Sequence, residues 1–173
     1  GLAAQQTANV IVTPESSAGL WQPAMERRWA AFAQKLEREQ RSAIVGVTFL
    51  RSDGDQEAGA VLLGESAGPR TYRQRVPMPF AMWRPWSRAA SFPANWSGRG
   101  TLRVRGRVIG VLICWEIGAP WAVIGSMLEG ADSLVGLANT GWLRGTSAAQ
   151  AERQALSTWG QLFHVPVRLA SNE

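Results

Sequence analysis

The apolar positions change their period several times along the chain. Val10-Ile11-Val12 is a short unbroken apolar run closed by Thr13-Pro14, the pattern of a buried strand that stops at a turn. From Pro23 to Gln40 the period becomes helical. Ala24, Met25, Trp29, Phe32, Ala33 and Leu36 fall on one side, Glu26, Arg27, Arg28, Lys35, Glu37 and Arg38 mostly on the other, and Pro23 suits the first turn. Ala43–Leu50 and Glu57–Gly64 are rich in strand formers and flank the turn Ser52-Asp53-Gly54-Asp55, so a hairpin is expected.

Thr71–Val76 leads into a segment punctuated by Pro77, Pro79, Pro85 and Pro93 and carrying Trp83, Trp86 and Trp96. Each proline removes a backbone donor, so this is a long irregular loop, and such loops are usually functional. Thr101–Arg105 alternates like a half-exposed strand. Gly106-Arg107 turns the chain into the buried strand Val108–Cys114. Ala119–Glu129 reads as a helix capped by Gly130, Ser133–Ala138 as a strand ending at Asn139-Thr140-Gly141-Trp142, Ser147–Phe163 as a helix and Val165–Ala170 as a last strand. Val108 to Leu128 is also long and apolar enough to be weighed as a membrane span. Glu116 in its middle, with Gly110, Gly118 and Pro120, argues instead for strand, turn and helix. The alternation of strands and helices predicts an α/β layered fold in a single domain over residues 1–173.

Composition narrows this picture. The 173 residues, 46% hydrophobic and 18% charged, suffice for one core and exclude a disordered chain. The net charge of +5 comes almost wholly from scattered Arg, Lys35 being the exception, and no basic helix carries interleaved aromatics. Nucleic acid is therefore not an expected partner. One cysteine excludes an intrachain disulfide and a zinc site built on Cys spacing. No signal-peptide pattern is visible, and both ends read as cut, so a piece of a longer protein is expected.

Few residues are placed to do chemistry. Cys114 ends an apolar strand ahead of a turn, where a nucleophile projects from a sheet edge; its ordinary alternative is a small core residue. Glu15 lies at the tip of a buried strand, where a raised pKa makes a general base; the alternative is a loop or capping acid. Glu116, two residues after Cys114, would share its side if the strand continued, and could tune the thiol or bind a turn amide. His164 allows a Cys–His pair, against the plainer reading of a packing histidine. No Gly-x-Ser-x-Gly elbow and no phosphate loop is present.

Together these segments resemble the nitrilase superfamily of carbon–nitrogen hydrolases. Val-Ile-Val-Thr-Pro-Glu15-Ser is similar to the strand that carries its catalytic Glu. Ile109-Gly-Val-Leu-Ile-Cys114-Trp115-Glu116 is similar to the strand and elbow of its catalytic Cys. Ala138-Asn139-Thr-Gly-Trp142 and Gln150 to Ala170 resemble the segments that follow, and the order fits across nearly the whole chain. The Trp-rich character resembles the apolipoprotein N-acyltransferase branch, and more closely the nitrilase-like domain of a bacterial conjugal-transfer protein. The family's third catalytic residue is a Lys. Aligning Pro79-Phe80 puts Gln74 at its position, and the family's second Glu falls on Met82. Gln74 donates hydrogen bonds but brings no charge, which leaves Arg73 or Arg75 as sources of charge.

The resemblance implies a four-layer α-β-β-α sandwich, lacking here the family's first strand and C-terminal strands. It implies a thioester mechanism on an amide or lipid-like acyl donor, with Glu15 as base, Cys114 as nucleophile, and Glu116, Gln74, Arg73 and Arg75 around them. Trp115, Asn139 and Trp142 are the implied substrate-binding residues, and no cofactor or metal is called for. The full-length protein is expected at the bacterial inner membrane, its domain periplasmic, with membrane or conjugation-apparatus partners and Met78–Trp96 as a Trp-rich lip. Two alternatives remain at this point: a catalytically impaired module with a binding or assembly role in conjugation, and a soluble amidase for small amides.

Overall fold

The computed structural model describes residues 9–52, 54–66, 70–80, 82–84, 86, 94–141 and 146–172. The chain runs β1 (Val10–Val12), β2 (Leu20–Trp21), α1 (Pro23–Arg38), β3 (Ser42–Leu50), β4 (Gln56–Leu63), β5 (Thr71–Arg73), β6 (Thr101–Val104) and β7 (Arg107–Ile113). A 3₁₀ turn (Cys114–Gly118) follows, then α2 (Pro120–Leu128), β8 (Ser133–Ala138), α3 (Ala148–Phe163) and β9 (Val167–Ser171). Each strand and helix anticipated from the pattern is present, and Gly130 ends α2 at φ +84° as expected of its cap. Two short strands were not read from the pattern: β2, because two residues carry no period, and β5, which the pattern gave only as the lead into the proline-rich loop.

The strands form two sheets. In the first, β3 and β4 make the expected antiparallel hairpin, β5 adds to β4, and β1 and β2 both pair in parallel with β3 along one edge. In the second, β6 pairs antiparallel with β7, and β7, β8 and β9 are parallel, joined through α2 and α3.

Side-chain alternation along these strands builds the layers. On β3, Ala43, Val45, Val47 and Phe49 face α1, whose Leu36, Met25 and Trp29 cover them. Ile44 faces inward with Ala58, Ala60 and Leu62 of β4, against Ile109, Val111 and Ile113 of β7 and Val135 and Leu137 of β8. On the second sheet's other face, Leu112, Leu134 and Ala138 pack under Ala122, Val123 and Leu156 of α2 and α3. The order is helix, sheet, sheet, helices, so the four-layer α-β-β-α sandwich is the fold. Val108 to Leu128 is divided among strand, turn and helix, and no helix among the described residues is long and apolar enough to cross a membrane.

Candidate active site

Glu15 sits where one edge of the first sheet is interrupted. β1 pairs with the start of β3 and β2 with its end, and residues 13–19 detour between them. The detour is tied to β3 throughout. Gly46 N–H donates to Thr13 Oγ1 at 3.0 Å, Ala18 N–H to the Gly46 carbonyl at 3.1 Å, and Thr48 N–H to the Gly19 carbonyl at 2.9 Å. A Cβ on Gly46 would stand 2.0 Å from the Pro14 oxygen and 2.9 Å from the Glu15 Cα. Only a glycine lets the loop lie this close.

Cys114 comes from the second sheet. β7 ends at Ile113, and Cys114 itself takes φ +50°, a left-handed conformation that costs a non-glycine residue about 1–3 kcal/mol and concentrates at functional sites. The sharp turn lifts the thiol off the strand end. The residue as a whole is half-buried and packs against the inner core.

The two meet: the Cys114 thiol donates a hydrogen bond to the Glu15 carboxylate. Backbone N–H groups join from either side, Asn139 donating to Glu15 and Trp115 to the Cys114 sulfur. Burial raises the Glu15 carboxyl from its ordinary range to about 7, against the lowering effect of the Cys114 bond. The thiol is pushed up to about 12, first by burial and then by the charges of Glu15 and Glu152. Glu15 is thus poised as a base near neutrality, and Cys114 rests as a thiol.

Around this pair the other candidates are sorted. At Gln74 the amide donates to the Ile113 carbonyl at 3.1 Å, placing it against the residue before the thiol. Arg73 is turned away: its guanidinium pairs with Glu57 and covers the Phe49 ring. Arg75 is buried but bonded elsewhere, to the Ala122 carbonyl at 2.9 Å, Ser126 Oγ at 3.0 Å and Tyr72 Oη at 3.2 Å.

The extended geometry that would have placed Glu116 beside the thiol stops at Cys114. Glu116 instead turns beneath the 3₁₀ turn, fully buried. It accepts from Tyr72 Oη at 2.6 Å and from the N–H groups of Ile113 at 2.8 Å, Arg75 at 2.6 Å and Val76 at 3.0 Å. It binds turn amides, one of the two roles the sequence left open, and ties the end of β5 to the end of β7. The Trp115 side chain is exposed, and Trp142 lies outside the described residues. His164 caps α3 at φ +54°, exposed, and Lys35 pairs with Glu39 at 3.8 Å on α1.

Two residues escaped sequence reasoning. Tyr72 stood in the quoted motif, but only the fold shows its hydroxyl on Glu116. Glu152 lies on α3 among alternating small and polar residues, where no spacing marks it. Among the described residues, no group of three His, Cys, Asp or Glu is arranged to hold a metal.

The loop aromatics stand outside the core. Trp83 meets Trp96 at 5.6 Å between ring centres, Trp96 meets Trp121 of α2 at 5.8 Å, and Phe80 meets Trp86 at 5.7 Å. Phe80, Trp86, Trp96 and Trp121 are each at least half exposed.

An acid on one sheet meeting a thiol on a strained turn of the other, in this sandwich, defines a class. The carbon–nitrogen hydrolase family model matches residues 1–171, and the chain belongs to that family. It is 31% identical over 166 residues to a probable conjugal transfer protein TraB of Sinorhizobium fredii, covering 94% of the chain and 42% of that protein. To the conjugal transfer protein TraB of Agrobacterium fabrum it is 31% identical over 181 residues, covering 98% of the chain and 40% of that protein. The chain thus spans well under half the length of these relatives. Among solved structures, a carbon–nitrogen hydrolase from Helicobacter pylori G27 superposes with TM-score 0.62 at 20% identity, covering 99% of this chain and 65% of that one. An amidase from Nesterenkonia sp. superposes with TM-score 0.63 at 16% identity, covering 98% and 65%. At these identities the structures speak for the fold.

Proposed function

We propose that this chain is the acyl-transfer or amide-hydrolysing domain of a conjugal-transfer protein, with Cys114 as nucleophile and Glu15 as general base. The observation that carries it is the hydrogen bond between a thiol on a left-handed turn and a carboxylate poised near pH 7. A solved mutant of the Nesterenkonia amidase, of the same fold, shows the Michael addition of acrylamide at its active-site cysteine.

The thiol's high pKa means that no thiolate stands ready, so its proton moves to Glu15 as sulfur attacks the carbonyl carbon. The carbonyl electron pair moves to oxygen. In this reading the Trp115 N–H, at the sulfur in the resting state, receives that oxyanion. Collapse expels the leaving group with the proton from Glu15 and leaves a thioester. Water or an amine then gives a proton to Glu15 as it attacks. The C–S bond breaks, and sulfur takes the proton back.

The exposed aromatic surface of Phe80, Trp86, Trp96 and Trp121 supports a lipid-like acyl donor and a membrane partner, since Trp favours bilayer interfaces. The test is labelling of the full-length protein with a thiol-directed acylating probe. Adduct on Cys114 that Glu15→Gln slows supports the reading. Labelling absent at neutral pH, or indifferent to Glu15→Gln, overturns it.

A second reading, an impaired module with an assembly role, is favoured by the charges that reach the thiol. They are carboxylates, and Gln74 supplies no cation. The substitution Gln74→Lys separates the two readings. Activity gained from none supports impairment, whereas no change or harm supports a working site.

A further inference from the structure

α2 is apolar on two sides. Ala122 and Val123 are buried against the second sheet, yet Trp121, Ile124 and Leu128 share the opposite face at helical spacing and stand in solvent, Leu128 with 84% of its surface exposed. A helix apolar all round is ordinarily a covered one. Trp96, whose ring meets Trp121 at 5.8 Å, extends this face, and Trp96, Trp121 and Leu128 line a concavity of about 270 Å³. A charged cleft adjoins it. Side-chain alternation on β6 turns Leu102 and Val104 into the inner core and Thr101 and Arg103 to the other side, where Thr101 meets Glu129 at the end of α2. Arg99 and Arg103 line a cleft of about 330 Å³ there, which shares Ser97 and Glu129 with the Trp-lined concavity.

The charges in this cleft do not cancel. Both oxygens of Glu129 are already engaged, by the Gly100 N–H and by Thr101 Oγ1 at 2.8 Å each. Further along the same hairpin, Arg105 is neutralised by Glu65 at 3.1 Å and Arg107 by Asp132 at 3.2 Å. Arg99 and Arg103 are exposed, and among the described residues neither guanidinium has an ion pair or a hydrogen bond. Trp favours the headgroup level of a bilayer, and an anionic lipid surface attracts each arginine near it. A second copy of the chain suits the face poorly, because a two-fold axis sets the same patch on both sides and brings the unpaired arginines to one seam. We propose that this face seats on an anionic bilayer: Trp96, Trp121, Ile124 and Leu128 enter the interface, and Arg99 and Arg103 hold headgroup phosphates in the adjoining cleft. This rests on the membrane reading above and names the partner within it, a surface rich in anionic lipid.

The experiment is co-sedimentation of the chain with vesicles of phosphatidylcholine alone, or of phosphatidylcholine and phosphatidylglycerol in equal parts. The wild type is expected to bind the mixed vesicles more tightly, with a preference that fades as salt rises. Arg99→Gln combined with Arg103→Gln is expected to weaken binding to the mixed vesicles about thirtyfold, the effect of two charges at an anionic surface, and to leave binding to phosphatidylcholine unchanged. Ile124→Ser combined with Leu128→Ser is expected to weaken binding to both. A control removes the same charge from α1, on the opposite outer layer, by Arg27→Gln and Arg28→Gln, both exposed, and is expected to bind as the wild type does.

An equal fall in that control makes the effect one of net charge and overturns the proposal. Equal binding of the wild type to both kinds of vesicle also overturns it, while leaving the membrane reading in place. A wild type that binds neither overturns the membrane reading as well. In sedimentation velocity without lipid, a dimer that Leu128→Ser splits gives the face to a second copy and overturns the lipid assignment.

Discussion

Cys114 is strained and protonated at once, and both follow from its place. A left-handed turn at the end of a buried strand leaves the residue half-buried among protein atoms, and burial disfavours the thiolate. Glu15 is raised for the same reason, to about 7. Below that pH it is protonated and cannot take the thiol proton; above it, it can. Alkylation of Cys114 is therefore expected to rise through about pH 7 in the wild type. In Glu15→Gln that inflection should vanish, leaving reactivity that climbs only as the thiol itself ionises. A pH series of iodoacetamide labelling read by mass spectrometry checks it.

Two elements hold these residues in register. The detour of residues 13–19 depends on Gly46. An alanine there would drive its methyl into the Pro14 backbone, which cannot rotate aside. Gly46→Ala is expected to lose about 1–3 kcal/mol in urea unfolding, as overpacking does, and to lower Cys114 labelling by displacing Glu15. The second device is the Glu116 hub, which joins the segment after β5 to the turn after β7. Removing it strands three buried N–H groups, the Tyr72 hydroxyl and the Arg75 charge 3.8 Å away. Glu116→Ala should cost about 3–5 kcal/mol by the same measurement. It should do so even in a chain already carrying Cys114→Ala, because the loss is structural.

At the scale of the molecule, two sheets packed face to face bring an acid from one and a thiol from the other to a shared end. The aromatic surface of Phe80, Trp86, Trp96 and Trp121 lies on loop and helix outside that core. Trp86, Trp96 and Trp121 can therefore change to Ser with little loss of fold. The triple variant is expected to unfold near the wild-type temperature in a thermal melt. It should also sediment less with phosphatidylglycerol vesicles, if the membrane reading holds; undiminished sedimentation counts against that reading.

Periodicity made the helices and all but the shortest strands legible, because burial on one or two faces writes itself into the order of apolar residues. The strand ends carrying Glu15 and Cys114 were legible for the same reason, and the family resemblance paired them. Three things were decided only in the folded chain. Glu116 turned inward because the backbone left the strand at Cys114. Arg73 and Arg75 found partners far along the sequence, in Glu57 and in α2. Glu152 came within electrostatic reach of the thiol on a helix packed against the 3₁₀ turn. Local pattern encodes which face of an element is buried. Which polar groups meet at its end depends on contacts between residues distant in the chain, and no local period records them.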